Sequence, residues 1–146
     1  LMQTKNTVYT ITPPDTRLSA RGPSILLLGI PFEDADPFVK IFDKLLPVIE
    51  LTFYVSKEKI TDENLAWYRA ASGLSSSIFI DVDNATTEEV FLAMQAETDD
   101  SKTVFWIAQQ HTNIHLEKLL NSFQYQVFDG PEELERFLEA EFTKTS

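Results

Sequence analysis

Cysteine is absent from this 146-residue chain, which excludes disulfides, thiolate metal sites and cysteine nucleophiles and fits, weakly, a cytoplasmic protein. Glycine is nearly as scarce, at four residues, and neither G-x-G-x-x-G nor a Walker A sequence occurs, so dinucleotide binding of the usual kind is not expected. No G-x-S-x-G elbow exists for a triad hydrolase. Positive charge is thin: twelve Lys and Arg, scattered singly, against twenty-three Asp and Glu give a net charge of −11. Such a chain repels phosphate backbones and anionic membranes, so neither bulk nucleic acid nor a membrane surface is the expected partner. No apolar run approaches the roughly 20 residues of a membrane helix, and the start "LMQTKNTVYT" shows no signal-peptide pattern.

What is present is hydrophobic material for one core, with 43% apolar residues and eleven Phe. Apolar runs "SILLLGI" (24–30), "LTFYV" (51–55), "SIFIDV" (77–82), "TVFWIA" (103–108) and "YQVF" (125–128) alternate with segments of helical period. The first four are almost continuously apolar, as strands covered on both faces must be. The pattern predicts one α/β domain over residues 1–146. Its core, at 24–142, is a three-layer, flavodoxin- or Rossmann-like sandwich around a five-stranded, mainly parallel sheet. Residues 1–23 add a short N-terminal strand and a Pro-rich covering segment. The helical stripes are expected to bury Phe38, Ile41, Phe42, Leu45 and Leu46, then Leu65, Trp67, Tyr68 and Ala71, then Val90, Phe91 and Met94. Farther on, Ile114, Leu116, Leu119, Leu120 and Phe123 form one stripe and Leu134, Phe137, Leu138 and Phe142 another, the last behind Pro131 at a helix start. In such sheets ligands sit beyond the carboxyl ends of the strands. That places a site among the loops 29–36, 56–61, 81–87, 108–113 and 129–131.

Several features at those loops have ordinary explanations. Gly73 in "ASGLSSS" reads as a helix C-cap. His111 and His115, the two histidines, stand four apart, but His111 precedes the expected helix and no third ligand accompanies them. Asp81 and Asp83 form a D-x-D on one face of the strand end, near enough to chelate a hard cation. Solvated strand-end aspartates are commonplace, however, and a receiver-type reading lacks its lysine, so no metal or cofactor is expected. Thr86-x-x-Glu89 is a capping box.

The same stretch, "DNATTEEVFLA" over residues 83–93, resembles the nucleoside 2-deoxyribosyltransferase family, whose pattern is D-[small]-G-T-x-x-E-x-G-x-A. Asp83, Thr86, Glu89 and Ala93 fall in register, and "SILLLGIP" is similar to the family's opening strand. Ala85 and Phe91 stand where the family has glycine, and Phe91 is large enough to fill part of a nucleoside pocket. The resemblance implies a reaction at the N-glycosidic bond of a nucleoside or nucleotide. Glu89 would be the nucleophile, Asp83 would hold a sugar hydroxyl, and Asp62 or Glu63 would assist the base. Gly29, Phe32, Asp81, Asn84, Thr86 and Tyr68 are the candidate substrate-binding residues. It also implies oligomers with shared sites. The alternative is a catalytically silent binding or regulatory module that keeps the fold and engages a protein partner.

Overall fold

The computed structural model describes residues 6–13, 15, 17–45, 50–56, 58–108 and 114–144. Six strands, β1 (Thr7–Ile11), β2 (Ser24–Leu28), β3 (Glu50–Tyr54), β4 (Ser77–Asp81), β5 (Thr103–Ile107) and β6 (Val127–Phe128), form one sheet in the order β1-β3-β2-β4-β5-β6. Every pairing is parallel, so the N-terminal strand extends the sheet at one edge. Five helices follow the strands from β2 on: α1 (Asp36–Leu45), α2 (Leu65–Leu74), α3 (Thr87–Glu97), α4 (Ile114–Ser122) and α5 (Gly130–Lys144). The architecture is the expected three-layer α/β sandwich. Beyond β1, the order is that of flavodoxin-like folds, with the switch point between β2 and β4.

Side-chain alternation sorts the core into two halves. Ile25, Leu27, Phe53, Phe79, Phe105 and Phe128 face α1 and α5, and Leu26, Leu28, Tyr54, Ile78, Ile80 and Trp106 face α2, α3 and α4. On the first side the rings form a continuous chain of tilted and edge-on contacts across the sheet. Phe79 lies 5.5 Å from Phe38, 4.9 Å from Phe42 and 5.2 Å from Phe105, and Phe105 continues to Phe128 at 6.2 Å.

Several local expectations are corrected. Of the run 125–128 only Val127 and Phe128 pair, because Gln124 turns through a positive φ of 63° and delays the strand. Gly73 lies inside α2, whose C-cap is Ser75, and Lys102 donates to the carbonyls of Gly73 and Ser75 at 2.9 and 2.7 Å. The buried stripe of α3 is Glu89, Leu92, Ala93 and Ala96, while Phe91 is 63% exposed. That stripe has the i, i+3, i+4, i+7 spacing of a buried helix face, but a carboxylate heads it, which hydrophobicity alone cannot reveal. On α4 only Leu120 is fully buried, and Ile114 and Leu119, with Phe123 in the turn beyond the helix, stay exposed. Leu46 and His111 lie outside the described residues, as does the side chain of Phe142.

Candidate functional site at the strand switch point

The chain leaves β2 through Gly29, which adopts a positive φ of +71°. A Cβ at this position would stand 2.7 Å from the Asp81 carbonyl oxygen and 3.0 Å from the Ala85 nitrogen. Glycine is therefore required twice over, by the backbone conformation and by the close approach of the β4–α3 loop. That loop is organised by Asp81, 4% exposed, whose carboxylate accepts from the Asp83 N–H at 3.0 Å and from the Asn84 side-chain amide at 2.9 Å. Burial, the largest influence, holds the Asp81 carboxyl above its ordinary range, against the lowering effect of these hydrogen bonds.

Helix α3 then starts at the capping box the sequence predicts. The Glu89 N–H donates to Thr86 Oγ1 at 3.3 Å, and the Thr86 N–H donates to Glu89 Oε1 at 3.0 Å. Two further bonds go beyond a capping box. The Thr86 hydroxyl donates to Oε1 at 3.0 Å, and the Gly29 N–H donates across the switch point to Oε2 at 2.8 Å. Glu89 is 2% exposed and ties the end of β2 to the start of α3. Three donors occupy most of the roughly four acceptor sites of a carboxylate, leaving about one on Oε2.

A cleft of about 240 Å³ opens here, lined by Gly29, Asp34, Ser56, Tyr68, Asn84 and Glu89, with Glu58 and Lys59 at its side. Its β3–α2 wall is stiffened locally. Ser56 Oγ accepts from the Glu58 N–H at 3.0 Å and donates to the Glu58 carbonyl at 2.8 Å. The Tyr68 hydroxyl donates to that same carbonyl at 2.6 Å. Burial pushes the Tyr68 phenol up to about 12; the Ser56 hydrogen bond opposes this, and the carboxylates of Glu89 and Glu58 reinforce it. Tyr68 is therefore a neutral donor at any ordinary pH.

The structure thus brings Glu89, Gly29, Asn84 and Tyr68 together. Thr86 caps α3 and Asp81 shapes the loop. Asp83 is half-buried beside the cleft without lining it, and Phe32, in a 3-10 turn at Phe32–Asp34, is 43% exposed and outside the lining. Asp62 and Glu63 are exposed in the turn before α2 and do not meet Glu89; Glu63 lines a separate cleft. Phe91, which could have filled the pocket, points away from it, because the helix turns Glu89 and not its second neighbour toward the sheet. Ser56, Glu58, Lys59 and Asp34 are lining residues that sequence reasoning placed only as loop positions. The location of the loops beyond the strand ends was the one available signal for them. Among the described residues no group of three or more His, Cys, Asp or Glu is placed to hold a metal ion, and no helix is long and apolar enough to cross a membrane.

No family model matches the chain, nor does any curated protein or solved structure, so the likeness to the deoxyribosyltransferases rests on residues 83–93 and their surroundings.

Proposed function

We propose that the chain binds a nucleoside in the switch-point cleft and that Glu89 attacks its anomeric carbon, forming a glycosyl ester as the N-glycosidic C–N bond breaks and the base departs with a proton from water; water or a second base then displaces the ester. The observation that carries this reading is the Glu89 carboxylate itself. It is buried at 2%, fixed by donors from two separate loops, and set in the lining of the cleft. A carboxylate held rigidly needs little reorganisation to reach a fixed carbon, and Oε2 keeps an acceptor site for that step. Asn84 and Asp34 offer partners for sugar hydroxyls, and the Tyr68 phenol, its proton held by the Glu58 carbonyl, offers a neutral acceptor. The cleft's volume of about 240 Å³ lies below the range of about 300–1,000 Å³ typical for drug-sized ligands, which suits a nucleoside better than a dinucleotide. An acidic chain with Lys59 as the one cationic residue among those lining the cleft favours an uncharged ligand over a phosphorylated one.

The second reading is a binding or regulatory module without turnover. The three donors on Glu89 favour it, as does the position of Asp62, Glu63 and Asp83 outside the cleft.

Glu89→Gln separates the two, provided stability is measured alongside. A glutamine presents one oxygen and one NH2, so a buried donor, from either Gly29 or Thr86, loses its acceptor at a cost of about 1–3 kcal/mol. Wild type is expected to release or exchange the base of at least one purine or pyrimidine deoxynucleoside. The variant, still folded by circular dichroism below its melting temperature, is expected to show no turnover. Nucleoside binding without turnover by wild type would establish the silent module. Neither binding nor turnover across the panel would overturn the nucleoside reading and leave the module that engages a protein partner.

A further inference from the structure

A second and larger cleft, about 680 Å³, lies between α2 and the segment that connects β1 to β2. It meets the first at Ser56 and Glu58, which line both. Its α2 wall is Ala66, Trp67 and Ala70, at i, i+1 and i+4 on the helix, with Glu63 in the turn just ahead of it. The two alanines leave room where larger side chains would close the cleft, and Leu18 and Pro13 form the opposite wall.

Two features mark this cleft as more than a packing defect. The first is charge. Glu58 and Glu63 are both exposed at it, neither has a salt-bridge partner among the described residues, and no lysine or arginine is among its lining residues. The second is an unmet hydrogen bond. Trp67 is 6% exposed, lines the cleft, and its indole N–H has no acceptor among the described residues. Beside it the Tyr54 hydroxyl, on a residue 0% exposed, is likewise without a partner, and the two rings meet edge-on at 6.2 Å. Buried polar groups are nearly always satisfied, so two adjacent exceptions, Trp67 in the cleft wall and Tyr54 behind it, call for a ligand or a bound water. The other tryptophan shows the contrast: the Trp106 indole N–H donates to Glu97 at 2.7 Å.

We propose that this second cleft binds an organic cation whose apolar stem carries a hydrogen-bond acceptor. The cationic group sits with the carboxylates of Glu58 and Glu63, the stem against Leu18, Ala66 and Ala70, and the acceptor on the Trp67 indole. The N–H lies within the wall, so the acceptor seats by turning the indole out of its edge-on contact with Tyr54. The ligand class is independent of the glycosidic reading, since it engages neither Glu89 nor the switch-point lining beyond Glu58.

The two indole N–H signals in a nitrogen-15 correlation spectrum provide the test, with 5-aminopentanamide as the probe. The Trp67 signal is expected to shift saturably at millimolar probe while that of Trp106 stays fixed. Uncharged pentanamide is expected to bind several-fold more weakly. Glu58→Gln and Glu63→Gln, which change only exposed carboxylates and keep the Glu58 backbone bonds, are each expected to weaken the charged probe about two- to fivefold. Absence of a saturable Trp67 shift, equal affinity for the charged and uncharged amides, or unchanged affinity in both variants would overturn the proposal.

Discussion

The two faces of the sheet are built from different materials. The face under α1 and α5 is packed with phenylalanine, whose rings join α1 to α5 across the strands with no side-chain polar atom among the largest of them. The face under α2, α3 and α4 contains Tyr54, Trp67, Tyr68 and Trp106, and Glu89 heads its α3 stripe. The two buried side-chain polar atoms without a hydrogen-bond partner among the described residues lie there, and both clefts draw wall residues from α2. A face made only of apolar rings gains stability from area and ring contacts and has no chemistry to offer. A face that hides phenol, indole and carboxylate must place each polar atom against a partner or a ligand. The comparison therefore separates the half that holds the fold from the half that can act.

The largest effect is expected from Phe79→Ala, which removes a ring 0% exposed and in contact with Phe38, Phe42 and Phe105. It should cost about 3–5 kcal/mol in urea unfolding, and a loss under 1 kcal/mol would break the assignment of stability to that face. Next is Gly29→Ala, which joins a left-handed conformation to a 2.7 Å contact with the Asp81 carbonyl. About 2–4 kcal/mol is expected, with the switch-point loops displaced, because neither backbone can give way cheaply.

A smaller effect, with a definite sign, belongs to Asp81. Because burial holds its carboxyl above the ordinary value of 3.8, the folded chain binds more protons here than the unfolded chain between that value and the raised one. Stability from this group consequently falls as pH rises through that window and is restored as pH falls. Asp81→Asn, which can still accept from the Asp83 N–H, should melt above wild type at neutral pH. The difference should close as pH approaches the ordinary carboxylate range. A variant less stable than wild type at neutral pH would show that the loop needs the charge. Smallest of all, Phe91→Ser should change stability by within about 0.5 kcal/mol, since its ring is 63% exposed, and should leave nucleoside binding intact. A loss of binding there would return Phe91 to the pocket and undo the division of α3 into a buried and an outward face.

Much of this was legible beforehand at particular residues. The nearly continuous apolar character of 24–30 and 77–82 marked strands covered on both sides, and the strands β2 and β4 within them are buried from end to end apart from the half-exposed Ser77. Thr86 and Glu89 announced a helix start by their spacing, and the capping box is there. The α3 stripe was misread because Val90, Phe91 and Met94 are the larger apolar residues. The helix instead buries small alanines beside the sheet, where little room exists, and spends its inward position on Glu89. Asp62 and Glu63 were placed by analogy along the chain, but a turn of three residues ahead of α2 directs them away from Glu89.

The sequence by itself determined the alternation of strand and helix, the parallel sheet and the cap at Thr86, because each depends on hydrophobic period or on contacts three or four residues apart. Only the tertiary structure decided that Glu89 also receives the Gly29 N–H from sixty residues away. The same holds for the Glu58 carbonyl as the common acceptor of Ser56 and Tyr68, and for Trp67, which lines a cleft with its N–H unmet. Those relations depend on how the strands are ordered and how closely two loops approach, and local spacing along a chain contains neither quantity.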